Sequence, residues 1–115
     1  MVVGTLRLLP SLEHRVEVLE ILRSVQGPVM AQPGCVAFRI SVEQGPEGAV
    51  VLVDRWESAT ALEAHLRSER YRRILGAIEL SGGPPQISFD HVVATEGLEL
   101  IERARQGDLS AGRRT

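Results

Sequence analysis

The sequence predicts an α+β, ferredoxin-like fold: a four-stranded antiparallel sheet with helices on one face, in the chain order βαββαβ. Three observations lead to it. Four apolar or alternating segments have the length of strands. Two intervening segments repeat apolar residues every three or four positions, the period of a helix packed on one side. The second and third strands are separated only by Gln44–Gly48, which predicts a hairpin.

The first strand and helix come from the N-terminal part of the chain. Val2–Leu9 forms an apolar strand that ends before Pro10. Ser11 is a candidate N-cap for the helix that follows, because its hydroxyl can accept a free N–H of the first turn. We expect Gly27-Pro28 to disturb the end of this helix. Its predicted apolar stripe consists of Leu12, Val16, Leu19, Leu22, Val25 and Val29.

The central hairpin combines an alternating strand with a more apolar one. In Cys35–Glu43, alternation predicts one face of Val36, Phe38, Ile40 and Val42 and an opposite face of Cys35, Ala37, Arg39 and Ser41. The run Val50–Val53 is β-branched and apolar, as in a buried strand, and Trp56 ends it. We expect Asp54 and Arg55, at the end of this strand, to form an ion pair across a dimer.

A capped helix follows Trp56. Ser58 lies at the N-cap position, and Leu62, His65 and Leu66 share one helix face. The next apolar residue, Tyr71, is five positions after Leu66, a step that one straight helix does not keep on one stripe. The spacing therefore predicts two short helices with a break near Arg67–Ser68.

The C-terminal part holds the last strand and a short helix. Gly82–Pro85 predicts a loop, after which Ile87, Phe89, His91 and Val93 alternate with polar residues. Leu98 and Ile101 predict a short helix that ends before Gly107. We therefore expect one folded domain over residues 1–106 and a flexible tail over residues 107–115.

Composition excludes several classes of partner. The formal net charge of −2 argues against a nucleic-acid partner, and no apolar run is long enough to cross a bilayer. A single cysteine, Cys35, fits a cytoplasmic protein without disulfides. The histidines His14, His65 and His91 lack metal-ligand spacing, so we expect no metal. No glycine-rich phosphate loop is present, since Gly82-Gly83 is followed by two prolines.

Helices on one side leave the other sheet face uncovered. Alternation gives that face a mixture of apolar and polar side chains. A small domain with such a face commonly buries it against a second copy, which predicts a homodimer.

Several segments together resemble the antibiotic biosynthesis monooxygenase family. They are Pro33-Gly34-Cys35 with its strand, LVDRWES, ALEAHLRSERYRRIL and PPQISFD, and the similarity extends from about residue 2 to residue 105. The resemblance implies a dimeric α/β barrel, in which two ferredoxin-like sheets pack face to face. It also implies a pocket between sheet and helices within each subunit. Some members oxidise phenols or quinols with molecular oxygen and without metal or flavin; related members degrade haem.

The resemblance also assigns candidate residues. The family's tryptophan at a strand end matches Trp56, and its helix histidine matches His65; an asparagine that some members use has no counterpart, because this chain contains no Asn. We expect His65 and Trp56 to be catalytic, with His65 as a base whose ordinary pKa lies near neutrality. The expected substrate-binding residues are Phe38, Leu62, Leu66, Tyr71, Phe89 and His91.

Each of these residues has a structural alternative. A histidine on an apolar helix face is often simply hydrogen-bonded to a backbone carbonyl, and a lone tryptophan is often a core anchor. Phe38 and Phe89 lie on the apolar faces of their strands, as core residues do. The main functional hypothesis is a cofactor-independent monooxygenase acting on a small aromatic phenol or quinol. The alternatives are a non-catalytic small-molecule-binding protein of the same fold and a haem-binding relative with His65 as axial ligand.

Overall fold

The computed structural model describes the backbone of residues 1–114 and the side-chain environments of residues 1–107. Eight elements follow one another along the chain. They are β1 (Val2–Leu8), α1 (Arg15–Met30), β2 (Cys35–Val42), β3 (Val50–Trp56), α2 (Ala59–Leu66), α3 (Glu69–Glu79), β4 (Gln86–His91) and α4 (Leu98–Arg114).

The four strands form one antiparallel sheet in the order β2-β3-β1-β4. This arrangement confirms the predicted ferredoxin-like fold. The register places Val2 of β1 beside Trp56 of β3 and Gly4 between Asp54 and Phe89. Because β1 and β3 are the central strands, their helix-facing side chains form the floor of the core.

The helices cover one face of the sheet, and the core lies between the two layers. Along β1 and β3, every second residue is buried, as expected for strands with one covered face. The buried residues of the core cluster are Val2, Leu6, Leu8, Val18, Leu22, Val25, Val29, Phe38, Val50, Leu52, Trp56, Leu62, Ile74 and Ala77.

The first helix begins later than predicted, and its buried face differs accordingly. It starts at Arg15, with His14 as N-cap and without a side-chain cap; Ser11 instead accepts the His14 N–H through its carbonyl, at 3.0 Å. Val18 takes the place predicted for Val16 in the buried stripe, and Leu12 is exposed. Pro28 lies inside the last turn and the helix continues to Met30, so the predicted disturbance does not end it.

A β-bulge changes which side of β2 its first residues face. The register shifts between Cys35 and Ala37, so that Cys35 pairs with Trp56 and packs against the core. Val36 is exposed, and its predicted place on the Phe38 face is wrong. An extra residue in one strand reverses the alternation of side chains locally. The alternation of apolar and polar residues in the sequence does not reveal such a bulge.

The break between the second and third helices is confirmed. Ser58 caps α2 by accepting the Ala61 N–H at 3.1 Å, and Ser68 caps α3 by accepting the Tyr71 N–H at 3.2 Å. The Ser68 hydroxyl also donates to the His65 carbonyl at 2.7 Å. The break is therefore a capped junction that fixes the backbone of Tyr71 next to the end of α2.

The edge strand β4 is less covered than the rest of the sheet. All six of its residues are exposed, including Ile87 and Phe89, whose side chains lie on the helix side.

Beyond β4, the helix α4 continues to Arg114, so the predicted end of this helix before Gly107 is wrong. The flexibility expected of residues 107–115 stays a prediction. No helix in the described part of the chain combines the length and apolarity needed to cross a membrane.

Candidate functional site

Three polar side chains are buried together on the helix side of the sheet. Asp54 and Trp56 face this side because they alternate with Val53 and Arg55 along β3. The helix α2 places His65 over Trp56, with the two rings stacked at a centroid distance of 4.5 Å. Asp54 is 6% exposed, His65 1% and Trp56 0%. We refer to Asp54, Trp56 and His65 as the polar trio.

One ring nitrogen of His65 is hydrogen-bonded, and the other has no hydrogen-bond partner. Its Nδ1 lies 2.8 Å from Gln32 Oε1, and with the Gln32 amide in this orientation Nδ1 carries the proton of the neutral ring. The other nitrogen, Nε2, has no hydrogen-bond partner and lies 4.0 Å from Asp54 Oδ2. Burial, and secondarily the positive charge of Arg70, lower the pKa of His65 to about 4. The imidazole is therefore neutral at pH 7, and its free lone pair faces Asp54.

Asp54 is a buried carboxylate without a full set of partners. Burial raises its pKa to about 6, although the nearby Trp56 side chain and the Gly4 backbone act in the opposite direction. The indole N–H approaches the carboxylate without hydrogen-bond geometry, since both Asp54 Oδ1 and Trp56 Nε1 lack a partner. Buried polar groups are normally satisfied. Three unsatisfied atoms in one trio therefore indicate a place where a ligand or a water binds.

Gly4 creates the space for this carboxylate. A Cβ atom at position 4 would lie 2.3 Å from Asp54 Oδ1 and 3.2 Å from the Phe89 ring. The neighbouring strand β1 can therefore carry only a glycine here if Asp54 keeps its position. Gly4 does not adopt a positive φ, so close approach alone explains the residue.

A small cavity lies beside Asp54, between the sheet, α3 and β4. Its volume is about 20 Å³, room for about one water molecule. Most of its wall is apolar, and Tyr71, at the start of α3, also contacts the His65 ring edge-on at 5.3 Å. The lining residues are Gly4, Thr5, Leu6, Leu52, Asp54, Tyr71, Ile87 and Phe89.

The structure separates the predicted site residues into four groups. Tyr71 and Phe89 line the cavity, and Trp56 and His65 form the buried stack next to it. Phe38 and Leu62 belong to the core, and Leu66 packs against it. His91 is exposed at the end of β4. The cavity wall therefore differs from the one predicted, because β4 and β1 supply most of it.

A second, more open depression lies on the other side of His65. This groove has a volume of about 400 Å³ and runs between the α1–β2 loop and α2. Gln32 and His65 both border it, so the two side chains joined by the hydrogen bond form part of the groove wall. Its remaining lining residues are Pro33, Gly34, Glu57, Ser58, Thr60, Ala61 and Ala64.

Sequence reasoning missed Asp54, Gly4 and Gln32 as site residues. The signal for Asp54 was available: it is in phase with Leu52 and Trp56, so alternation places a carboxylate on the buried face. The expected ion pair with Arg55 across a dimer is wrong, because Asp54 faces its own helices. Nothing in the sequence marks Gln32, since its role depends on how the α1–β2 loop meets α2.

The part of the chain with described side chains contains no group of three potential metal ligands among its His, Cys, Asp and Glu residues. The polar trio supplies only two such ligands, Asp54 and His65. The chemistry available at the site is therefore that of a carboxylate, a neutral imidazole and an indole N–H beside an apolar cavity.

Comparisons with known proteins support this description of the fold. The family model described as antibiotic biosynthesis monooxygenase matches residues 1–77. A search of curated proteins finds no match. Among solved structures, Rv0793 from Mycobacterium tuberculosis is 24% identical with a TM-score of 0.74, covering 84% of this chain and 98% of that one.

Two further structures are similar to the chain. One is described as an antibiotic biosynthesis monooxygenase and is 21% identical, with a TM-score of 0.72, covering 82% of this chain and all of that one (100%). A protein from Deinococcus radiodurans is 17% identical, with a TM-score of 0.77, covering 85% and 98%. At these identities the structural comparisons establish the fold.

The pKa of Asp54 leads to a prediction for stability. Its pKa is higher in the folded state, about 6, than the ordinary 3.8, so the contribution of Asp54 to stability is full below pH 3.8 and is lost as the pH rises through 6. Two pH units correspond to about 3 kcal/mol. Asp54→Asn should therefore raise the free energy of unfolding at pH 7.5 by up to about 3 kcal/mol, a gain that shrinks towards pH 4.

Urea unfolding of both proteins at pH 7.5 and 4.5 measures this difference. Glu63→Gln, at an exposed position of α2, is the control and should change stability by less than about 0.5 kcal/mol at either pH. Equal stability of Asp54→Asn and the wild type at pH 7.5 would contradict the prediction, because it would show that burial does not destabilise the ionised carboxylate.

Close packing at Gly4 leads to a second prediction. Gly4→Ala must displace the Asp54 carboxylate or the Phe89 ring, and overpacking of this kind costs about 1–3 kcal/mol. Gly76→Ala in α3 is the matched control: its Cβ would meet nothing within 4 Å, and it should stabilise the helix by about 1 kcal/mol. Thermal unfolding of both variants gives the comparison, and stabilisation by Gly4→Ala would contradict it.

Proposed function

The chain belongs to the antibiotic biosynthesis monooxygenase family, and from this premise we propose that it is a cofactor-independent monooxygenase. Its substrate would be a small aromatic phenol or quinol, and its oxidant molecular oxygen. The observation that carries the proposal is the polar trio, with three unsatisfied buried atoms next to an apolar cavity. The cavity beside Asp54 is the proposed binding site.

A phenolic hydroxyl complements the unsatisfied atoms of the trio. It can donate its hydrogen to Asp54 Oδ1 or His65 Nε2 and accept the Trp56 N–H, the three atoms that lack partners. The aromatic ring would contact the apolar wall formed by Ile87 and Phe89. Sites for small molecules commonly combine an apolar wall with a few convergent polar groups, as this one does.

Proton removal is the step that the site can promote. A phenolate is more electron-rich than a phenol and reacts with oxygen more readily, so a base at the hydroxyl would start the reaction. The Asp54–His65 pair supplies a base, because at pH 7 the imidazole is neutral and the carboxylate is mostly ionised. The Trp56 N–H can donate to the phenolate oxygen and stabilise its charge.

The overall oxidation balances without a further reductant. In an anthrone-type substrate, the CH₂ carbon loses two hydrogens and gains one oxygen atom as a carbonyl. The second oxygen atom leaves as water. All four electrons that reduce O₂ thus come from the substrate.

The cavity must enlarge before it can hold an aromatic ring. Its volume is about 20 Å³, whereas an engineered cavity that binds benzene measures about 150 Å³. The most exposed part of the wall is the edge strand β4, where Ile87 is 46% exposed and Phe89 39%. We propose that the ligand enters by displacing Phe89 outward, while Tyr71 stays fixed by the cap at Ser68.

The haem alternative finds no support in the trio. His65 Nδ1 is engaged by Gln32, and Nε2 faces Asp54 at 4.0 Å. An iron ion needs a free imidazole nitrogen that points into an open space. The residues present therefore do not fit an axial histidine, and no step of the proposed reaction involves haem. A non-catalytic binding protein of the same fold differs from our proposal only in turnover, which oxygen uptake measures.

A homodimer through the open sheet face completes the proposal. This face mixes apolar and polar side chains: Val3, Thr5, Arg7, Ala37, Arg39, Ser41, Val51, Val53, Arg55, Gln86, Ser88 and Asp90. Pairing two such faces would form the dimeric α/β barrel and leave the cavity beside Asp54, on the opposite face, within each subunit. A cytoplasmic location remains an expectation.

Light scattering tests the dimer. The wild type should have twice the chain mass of 12.6 kDa, and Val53→Asp should dissociate it, because the new carboxylate would be buried in the interface. Val93→Asp is the matched control, since Val93 is 99% exposed and lies beyond β4. A monomeric wild type at micromolar concentration would contradict the proposal.

Oxygen uptake tests the activity. The wild type should consume oxygen with 1-naphthol or anthrone and not with naphthalene, which has no acidic proton to lose. His65→Phe keeps a ring stacked on Trp56 but removes both nitrogens, and should lower turnover about tenfold with little change in ligand affinity. His14→Phe, at a surface position, should behave as the wild type. An unchanged rate in His65→Phe would remove His65 from the mechanism.

A further inference from the structure

We propose that Asp54 is the group that takes the proton from the substrate, and that His65 is a positioning residue that acts through it. This inference rests on the proposed function and names the proton acceptor of the same site. Sequence reasoning placed the base on His65. Asp54 lines the cavity that would hold the ligand, whereas His65 does not line it and lies 4.0 Å from the Asp54 carboxylate.

The two oxygens of Asp54 point to different neighbours. Oδ1 lies directly over Gly4, a cavity-lining residue, because a Cβ there would be 2.3 Å away. Oδ2 is the oxygen nearer to His65, at 4.0 Å from Nε2. Asp54 itself lines the cavity, whereas His65 borders the groove on the opposite side. A hydroxyl bound in the cavity would therefore meet Oδ1 before it could reach Nε2.

Charge also distinguishes Asp54 from its neighbours. The titratable groups around it are His65, Tyr71 and Cys35, and Arg70 acts on His65 from the surface of α3. Burial raises the pKa of both Tyr71 and Cys35, with the Asp54 charge as a second cause, so both stay protonated at pH 7. His65 is neutral at that pH. Of these four groups, Asp54 is the one that is ionised at pH 7, and a proton transferred to it would neutralise its charge.

The proton transfer itself balances simply. With 1-naphthol the phenolic O–H bond breaks, and with anthrone a C–H bond of the CH₂ group breaks; in both cases an O–H bond forms at Asp54 Oδ1 and the negative charge moves from the carboxylate to the substrate oxygen. The Trp56 N–H then faces an anion. When oxygen is reduced, the proton held by Asp54 leaves with the second oxygen atom as part of the water formed, and the carboxylate is restored.

His65 supports Asp54 by position. Its Nδ1–H is committed to Gln32 and its ring is stacked on Trp56, so its orientation is fixed. The neutral ring lies beside Oδ2, with Nε2 4.0 Å away, and so contributes to the burial of the carboxyl. This desolvation raises the pKa of the carboxyl towards the range in which a base works best near neutral pH.

The kinetic test compares two variants that preserve shape. Asp54→Asn removes the proton acceptor and should lower turnover with 1-naphthol or anthrone at least about a hundredfold. His65→Phe should cost only about tenfold. The pH profile separates the roles further: kcat/KM of the wild type should rise with an apparent pKa near 6, and this rise should persist in His65→Phe and disappear in Asp54→Asn.

The opposite order of effects would overturn the inference and leave the proposed function intact. In that case His65→Phe would abolish turnover and the pH dependence, while Asp54→Asn would retain both. Thermal unfolding of each variant confirms that it is folded. Should Asp54→Asn fail to fold, Asp54→Glu replaces it: the longer side chain keeps the charge but misplaces the oxygen, so turnover should fall while the pH-dependent rise remains.

Ligand binding distinguishes failure of this inference from failure of the proposed function. If the wild type consumes no oxygen with either substrate, the monooxygenase proposal fails. The Kd of 1-naphthol then decides the role of Asp54: it should tighten as the pH rises through about 6 in the wild type and lose this dependence in Asp54→Asn. Naphthalene, without a hydroxyl, should show no such dependence. Absence of the pH effect with 1-naphthol would overturn the assignment of Asp54.

Discussion

The burial of one carboxylate, which lacks a full set of hydrogen-bond partners, is the constraint on which the arrangement of the candidate site depends. Asp54 lies on the apolar side of β3, between Leu52 and Trp56, where a charged group is costly unless it is fully hydrogen-bonded. Gly4 leaves room for it on the neighbouring strand, and His65 covers it from α2. A protein selected only for stability would place an apolar residue at this position. The carboxylate therefore points to a function at this place in the fold.

The surrounding elements cover that carboxylate with side chains on one side and leave it next to the cavity on the other. On the covered side, Gln32 fixes the His65 ring, and Trp56 packs beneath it. On the accessible side lies the uncovered edge strand β4, whose exposed Ile87 and Phe89 form part of the cavity wall. The break before α3 contributes as well, because the Ser68 cap turns the chain so that Tyr71 faces both His65 and the cavity. Local helix capping thus shapes the site.

Much of the fold could be predicted from the sequence because it depends on local patterns. The apolar runs of β1 and β3, the alternation in β2 and β4, the hairpin and the five-residue step from Leu66 to Tyr71 are all patterns of residues close together in the sequence. The errors arise where one residue shifts a register. The bulge after Cys35 turns Val36 outward, and the later start of α1 replaces Val16 by Val18 in its buried face. Such shifts depend on tertiary packing and leave no periodic trace.

The candidate site was only partly predictable, for a related reason. The family resemblance directed attention to Trp56 and His65, and both are buried and stacked. The third member, Asp54, follows the apolar run Val50–Val53 and looks like the polar end of a strand, although its phase with Leu52 and Trp56 places it inside. Gly4 and Gln32 come from distant parts of the sequence, and only the folded chain brings them to the trio.

The most direct test of this account is a ¹³C NMR titration of the Asp54 side-chain carboxyl, with and without 1-naphthol. We expect a midpoint near pH 6 in the free protein, since burial disfavours the carboxylate. The midpoint should move to lower pH when the ligand donates its hydroxyl to the ionised form. A midpoint near the ordinary value of 3.8 that does not respond to the ligand would contradict it.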